Sequence, residues 1–198
     1  MAYSKFKIGQ IEENFGVSLT RSKENLFEEI SIPPSEWLEH SLQFSKKVSL
    51  LSEKARSEMI VSPILLETLE RNNHSFSMFS GAVLDADVKQ GLSGECDYIF
   101  SKKPQAFYIT APIFGLVEAK KQDIDLGMPQ CVAQLIGAKI FNENRKNEIS
   151  TLYGCVTTGE EWLFLRLDGK EILIDKEKYF IKDVNLILGV LQQIVDRN

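Results

Sequence analysis

Asp97, Glu118 and Lys120 are the residues of this chain whose types and spacing could do chemistry together. Each stands at the polar end of an apolar run. Asp97 lies in Gly94-Glu95-Cys96-Asp97-Tyr98-Ile99-Phe100, the other two in Gly115-Leu116-Val117-Glu118-Ala119-Lys120-Lys121. A strand turns alternate side chains to opposite faces, so Glu118 and Lys120 share one face while Val117 and Ala119 share the other. With Asp97 on a neighbouring strand, two carboxylates and an ammonium converge on one spot. That set suits a hard divalent cation held through oxygen, with a lysine beside it. The plain alternative is an exposed Glu118–Lys120 charge pair, with Asp97 doing no more than ending a strand. An isolated Glu-x-Lys turns up about once by chance in a chain of this size, so its surroundings decide. Here both pieces border apolar runs, and a helix bearing Gln130 and Gln134 one turn apart follows the lysine.

The elements that must position this trio are legible in outline. Residues 1–48 read as an N-terminal helical appendage: Ile8, Ile11 and Phe15 have helical spacing, Pro33-Pro34 breaks the chain, and Ser35 caps a helix from Glu36 to about Val48. Residues 49–198 read as the core. Ser52 caps a helix running to Val61, with Glu53 favouring its positive end and Pro63 breaking or kinking it. On a wheel Glu53 falls between Ile60 and Ile64, on a stripe that ought to be buried; first-turn placement is one reason, a site is another. Strand signals follow at Ser75–Ser80, Val83–Val88, Glu95–Phe100, Phe107–Thr110 and Phe114–Ala119. A loop with Asp123, Asp125 and Gly127 leads into a helix over 128–144. A strand over Thr151–Thr157 then precedes the hairpin of Trp162–Leu167 and Glu171–Ile174, and a last helix spans Asp183–Val195. This order predicts an α/β (α+β) fold, a mixed central sheet flanked by helices.

Bulk properties bound the function. The 198 residues suit one domain, and 43% hydrophobic with 26% charged residues argues against disorder. No apolar run approaches the roughly 20 residues that span a bilayer, and no apolar signal core follows the basic start, so a membrane partner is not expected. Cys96, Cys131 and Cys155 are scattered without a CxxC pair, which points to a reducing cytoplasm and away from zinc or a disulfide framework. The net charge of −5 argues against strong non-specific nucleic-acid binding but leaves room for local cation clusters. Of Lys102-Lys103, Lys120-Lys121 and Arg145-Lys146, Lys121 and Lys103 are the first candidates to touch phosphate. His40 and His74 are lone and read as ordinary residues.

With Asp on one strand and Glu-Ala-Lys on the next, the pattern resembles the PD-(D/E)xK nuclease superfamily, the restriction-endonuclease-like enzymes. It is also similar to a group of uncharacterised bacterial, notably cyanobacterial, proteins sharing Gly-Leu-Ser-Gly-x-Cys-Asp and Val-Glu-Ala-Lys. The likeness covers roughly residues 50–175, and Cys96 stands where proline usually precedes the aspartate. It implies a restriction-endonuclease-like core in which Asp97, Glu118 and the Ala119 carbonyl hold Mg²⁺ (or Mn²⁺). Glu53, or alternatively Glu58, is the implied helical acid, serving a second ion or metal-bound water. Lys120 orients the attacking water and stabilises charge, and Gln130 or Gln134 orients ligands or meets the nucleic-acid backbone. The implied activity is an endo- or exodeoxyribonuclease, a hydrolase of DNA phosphodiesters, working alone, as a homodimer or with a partner subunit. A catalytically inactive binding or assembly module is the alternative, and RNA or a small nucleotide a further substrate.

Overall fold

Strands form where the sequence alternates or runs apolar, and turn residues punctuate them. The computed structural model describes residues 2–147 and 149–198. Its strands are β1 (Ser18–Arg21), β2 (Ser77–Val83), β3 (Glu95–Ser101), β4 (Ile113–Ala119), β5 (Thr151–Thr157), β6 (Glu161–Asp168), β7 (Glu171–Ile174) and β8 (Tyr179–Phe180). Its helices are α1 (Ile8–Phe15), α2 (Glu36–Ser45), α3 (Glu53–Arg56), α4 (Ser62–Arg71), α5 (Ile124–Asn144) and α6 (Val184–Asp196). The strands join in one sheet ordered β1-β7-β6-β5-β4-β3-β2, with β8 pairing β6. The β1/β7 and β4/β5 pairs are parallel and the others antiparallel. α5 makes the crossover that a parallel β4/β5 pair requires. The fold is α/β (α+β) with a mixed sheet flanked by helices, as the element order predicts.

Helices cover both faces. On one, Tyr3, Phe6, Ile11 of α1 and the apolar side of α5 pack over Cys96, Ile99, Leu116 and Val156. On the other, Leu38 of α2, Ile64 and Leu65 of α4 and the apolar stripe of α6 pack over Tyr98, Phe100, Val117 and Phe164. The stretch read as an N-terminal appendage supplies an edge strand of the sheet, and Tyr3, Phe27 and Leu38 are buried in the core.

Four local expectations are adjusted. Phe107–Thr110 has strand-like composition but is irregular, for Pro104 and Pro112 flank it and neither can donate to a ladder. Val83–Val88 is no separate strand: β2 ends at Val83, and the chain turns through a bridge between Asp87 and Leu92. Of the two readings of Pro63, the break does not occur, for the helix runs on past it. A π-helical turn over Ser57–Val61 links α3 to α4, and Pro63 sits in the first turn of α4. Ser62 N–H bonds the Ser57 carbonyl across the wider turn, so the ladder is already shifted where proline lacks its donor. α5 also starts earlier than the expected 128, because Asp123 accepts the Asp125 N–H (2.8 Å) as its cap and Ile124 is buried.

α2 and α4 are tied by a polar cluster. Ser35 Oγ accepts the Leu38 N–H and donates to Glu67 Oε2 (2.6 Å), the Ser35 N–H reaches Glu67 Oε1, and Arg71 Nε donates to the same oxygen (2.7 Å). Burial raises the Glu67 carboxyl, but the bonds from Ser35 and Arg71 outweigh it and hold the group below its usual value. A depressed acid stabilises the fold fully above its unfolded pKa, and that contribution is lost as pH falls through the folded value. Glu67→Gln is therefore expected to flatten the acid limb of the melting curve below about pH 4.5. An acid limb identical to that of the wild type would refute this assignment.

Candidate active site

The site forms where the β3–β4 ladder stops. Pairing runs from Ser101↔Ile113 to Tyr98↔Val117 and goes no further. The next amide of β4, Ala119 N–H, donates instead to Asp97 Oδ2 at 2.7 Å. A side-chain carboxylate thus replaces a backbone acceptor, which opens the strands and fixes Asp97 against the end of β4. Here the packing of β3 also changes face: Cys96 lies in one hydrophobic cluster and Tyr98 in the other.

Glu118 is only 1% exposed. Lys120 Nζ donates to its Oε1 (2.5 Å) and Gln134 Nε2, from α5, to its Oε2 (2.7 Å). The Lys120 N–H bonds the Thr157 carbonyl of β5 (2.7 Å), pinning the backbone after β4. Glu53 of α3 stands 4.0 Å from Lys120 Nζ. Asp97, Glu118, Lys120, Glu53 and Gln130 all line one cavity of about 320 Å³, closed on a further side by Ala2, Tyr3 and Ser4. A second cavity of about 370 Å³ shares Glu53, Glu95 and Asp97 with it and adds Glu58, so a groove crosses the site.

Electrostatics follow from this packing. Burial first, then repulsion from Asp97, pushes the Glu118 carboxyl up to about 7 against the pull of Lys120 and Gln134. Burial also raises Asp97, despite the bond from Ala119 N–H. For Lys120, burial favours the neutral amine, but Glu118, Glu53 and Asp97 overcome it and raise the pKa. The buried thiols of Cys96 and Cys131 are driven up by burial and by Glu118, which keeps them protonated and inert.

The structure brings the expected trio together, with Glu53 and Gln130 at the same cavity. Of the two helical acids Glu53 faces Lys120, while Glu58 lines only the neighbouring cavity and pairs with Lys54 at 3.8 Å. Of the two glutamines Gln134 holds Glu118 and is fully buried, and Gln130 lines the cavity. Ala119 is buried and gives its N–H to Asp97. Lys121 is exposed and follows Lys120 in the chain, whereas Lys103 follows the other end of β3.

Sequence reasoning missed Glu95, which lines both cavities, and the wall made by residues 2–4. It also missed Tyr98, whose hydroxyl lies 2.8 Å from Ser57 Oγ and donates to the Ser57 carbonyl, clasping the end of α3 to β3 next to Asp97. Alternation around Asp97 hints at Glu95; nothing local signals the other two.

Among the described residues no three His, Cys, Asp or Glu side chains form a ready-made metal cage. The donor set nevertheless fits a hard cation that keeps much of its water: two clustered carboxylates with raised pKa values lack a full counter-charge, and the buried Gln134 Oε1 has no donor. No helix among the described residues is long and apolar enough to cross a membrane. The chain matches no protein-family model and no curated protein.

Proposed function

We propose that the chain is a Mg²⁺- or Mn²⁺-dependent nuclease hydrolysing DNA phosphodiester bonds. One observation carries the reading: the ladder between β3 and β4 ends so that Asp97, Glu118 and Lys120 line a single cavity, with Glu53 of α3 beside the lysine. Asp97 and Glu118 would hold the cation, with the Ala119 carbonyl and Glu53 as further oxygen donors. When bound, the ion supplies Lewis acidity toward a phosphate oxygen and lowers the pKa of water. Lys120, kept charged by its acidic neighbours, stabilises negative charge gathering on the phosphate and orients the attacking water. Gln134 fixes the carboxylate plane of Glu118. Gln130, which lines the cavity, and the exposed Lys121 would meet the substrate backbone. DNA rather than RNA follows from the resemblance alone.

A second reading, an inactive nuclease fold serving as a binding or assembly module, is favoured by one fact: both oxygens of Glu118 are already engaged. Calorimetric titration with Mg²⁺ and Mn²⁺ separates the two, using the wild type, Asp97→Ala and Glu118→Ala. Micromolar-to-millimolar binding lost in both variants, with metal-dependent cleavage of DNA, is the expected result. Absence of binding by the wild type, with and without DNA, would leave the trio a structural ion cluster and the module reading ahead.

A further inference from the structure

The β3–β4 connection, residues 102–112, lies at the end of the strands away from Asp97 and Glu118. Strands of seven residues put it roughly 20 Å from the site. At its tip Phe107 is 102% exposed and Tyr108 70% exposed. The exposure is held, not incidental. Ser77 Oγ donates to the Lys103 carbonyl (2.7 Å) and accepts the Ala106 N–H (2.8 Å). Ser101 Oγ donates to the Thr110 carbonyl (2.7 Å), and Lys102 N–H to that of Pro112 (3.0 Å). Ile109 and Ala111 pack against the core. Both arms are thus anchored while two rings project, forgoing the burial that aromatic side chains otherwise gain.

The chemistry of the loop narrows what covers those rings. Residues 102–112 contain two lysines and no acid, in a chain of net charge −5, and neither lysine forms an ion pair among the described residues. A protein partner is a poor match. Two aromatic side chains bury about 150–250 Å² each, well short of the ~800 Å² that each side of a stable interface contributes. An anionic membrane surface is a poor match too, since such anchors use a broad apolar face and clusters of about 4–8 cations. A single nucleic-acid strand needs what the loop offers: flat rings for unpaired bases and ammonium groups for the phosphates between them.

We propose that Phe107 and Tyr108, with Lys102 and Lys103, form a stacking platform for single-stranded nucleic acid, separate from the Asp97–Glu118–Lys120 site. It takes unpaired bases with little sequence preference and tethers a strand outside the catalytic groove.

The test is fluorescence anisotropy of a labelled thymidine oligonucleotide of about 15 nucleotides, with the full chain at low salt in chelator. Working without divalent cations separates this proposal from the reading of the site. Phe107→Ala/Tyr108→Ala should weaken binding at least ~10-fold, since two base-stacking contacts are lost together. Lys102→Ala/Lys103→Ala should lower the salt dependence, and the matching duplex should bind more weakly than the single strand. Wild-type affinity in the aromatic double variant would overturn the platform. So would absence of single-strand binding, or adsorption to phosphatidylserine vesicles that the aromatic variant loses while oligonucleotide binding is unchanged. Both substituted rings are solvent-exposed, so the variant's melting temperature should stay at the wild-type value.

Discussion

Lys120→Met is expected to lose DNA cleavage by about 10²- to 10³-fold and to bind Mg²⁺ at least as tightly as the wild type. The two halves of that result come from one contact. Lys120 Nζ occupies Glu118 Oε1 at 2.5 Å, so the ammonium and a cation compete for the same oxygen. Methionine keeps the aliphatic stem and removes the competitor. It also removes the positive charge that would stabilise the phosphate, and a preorganised group of that kind on a largely buried side chain accounts for the loss in rate. Without metal, Glu118 would be left buried beside Asp97 with one fewer counter-charge, so the variant should be less stable in chelator and recover with added Mg²⁺. Calorimetry, thermal melts with and without Mg²⁺, and single-turnover cleavage measure the three consequences. Loss of cation binding along with activity would mean that the trio works only as an intact ion cluster, which contradicts the proposed division of roles.

Gly127→Ala should damage the same site from behind. A Cβ at this position would stand 2.6 Å from Val156 Cγ1 and 2.8 Å from Lys120 Cγ, closer than side chains tolerate. Alanine favours a helix over glycine by about 1 kcal/mol, but overpacking costs about 1–3 kcal/mol, so a modest net destabilisation is expected. The functional loss should be larger. α5 and the Lys120 stem must part, and a misplacement near 1 Å costs about 10²-fold in rate. Cleavage assays beside melts decide the matter: a variant with full activity would show that Val156 and the helix absorb the methyl without moving the lysine.

How much of this was legible beforehand depended on the range of the signal. Asp97, Glu118 and Lys120 are each announced locally, by polar residues at the ends of apolar runs, and the mixed sheet with flanking helices follows from the order of periodic segments. The choice between Gln130 and Gln134 was not legible, because both lie on one face of α5 and only the depth of Glu118 in the fold selects the partner. Phe107–Thr110 reads as a strand because ring-rich composition favours one, whereas no neighbouring strand is there to pair with it. The wall built by residues 2–4 is set by Tyr3, whose hydroxyl donates to the Leu84 carbonyl some eighty residues away. No window of sequence carries such a contact.

The π-helical turn at Ser57–Val61 gives the site a dependence on chain length as well as on residue type. A π turn holds one residue more than an α turn, and each residue advances the helix by about 100°. Deleting a single residue there would restore an unbroken α-helix and leave α4 seated on its apolar stripe. The α3 turn upstream would then be rotated by about a quarter of a circle, and Glu53 would leave its place opposite Lys120 for a neighbour to fill. Which side chain addresses the groove is thus written in helical phase: a one-codon deletion that alters no site residue would reassign the position.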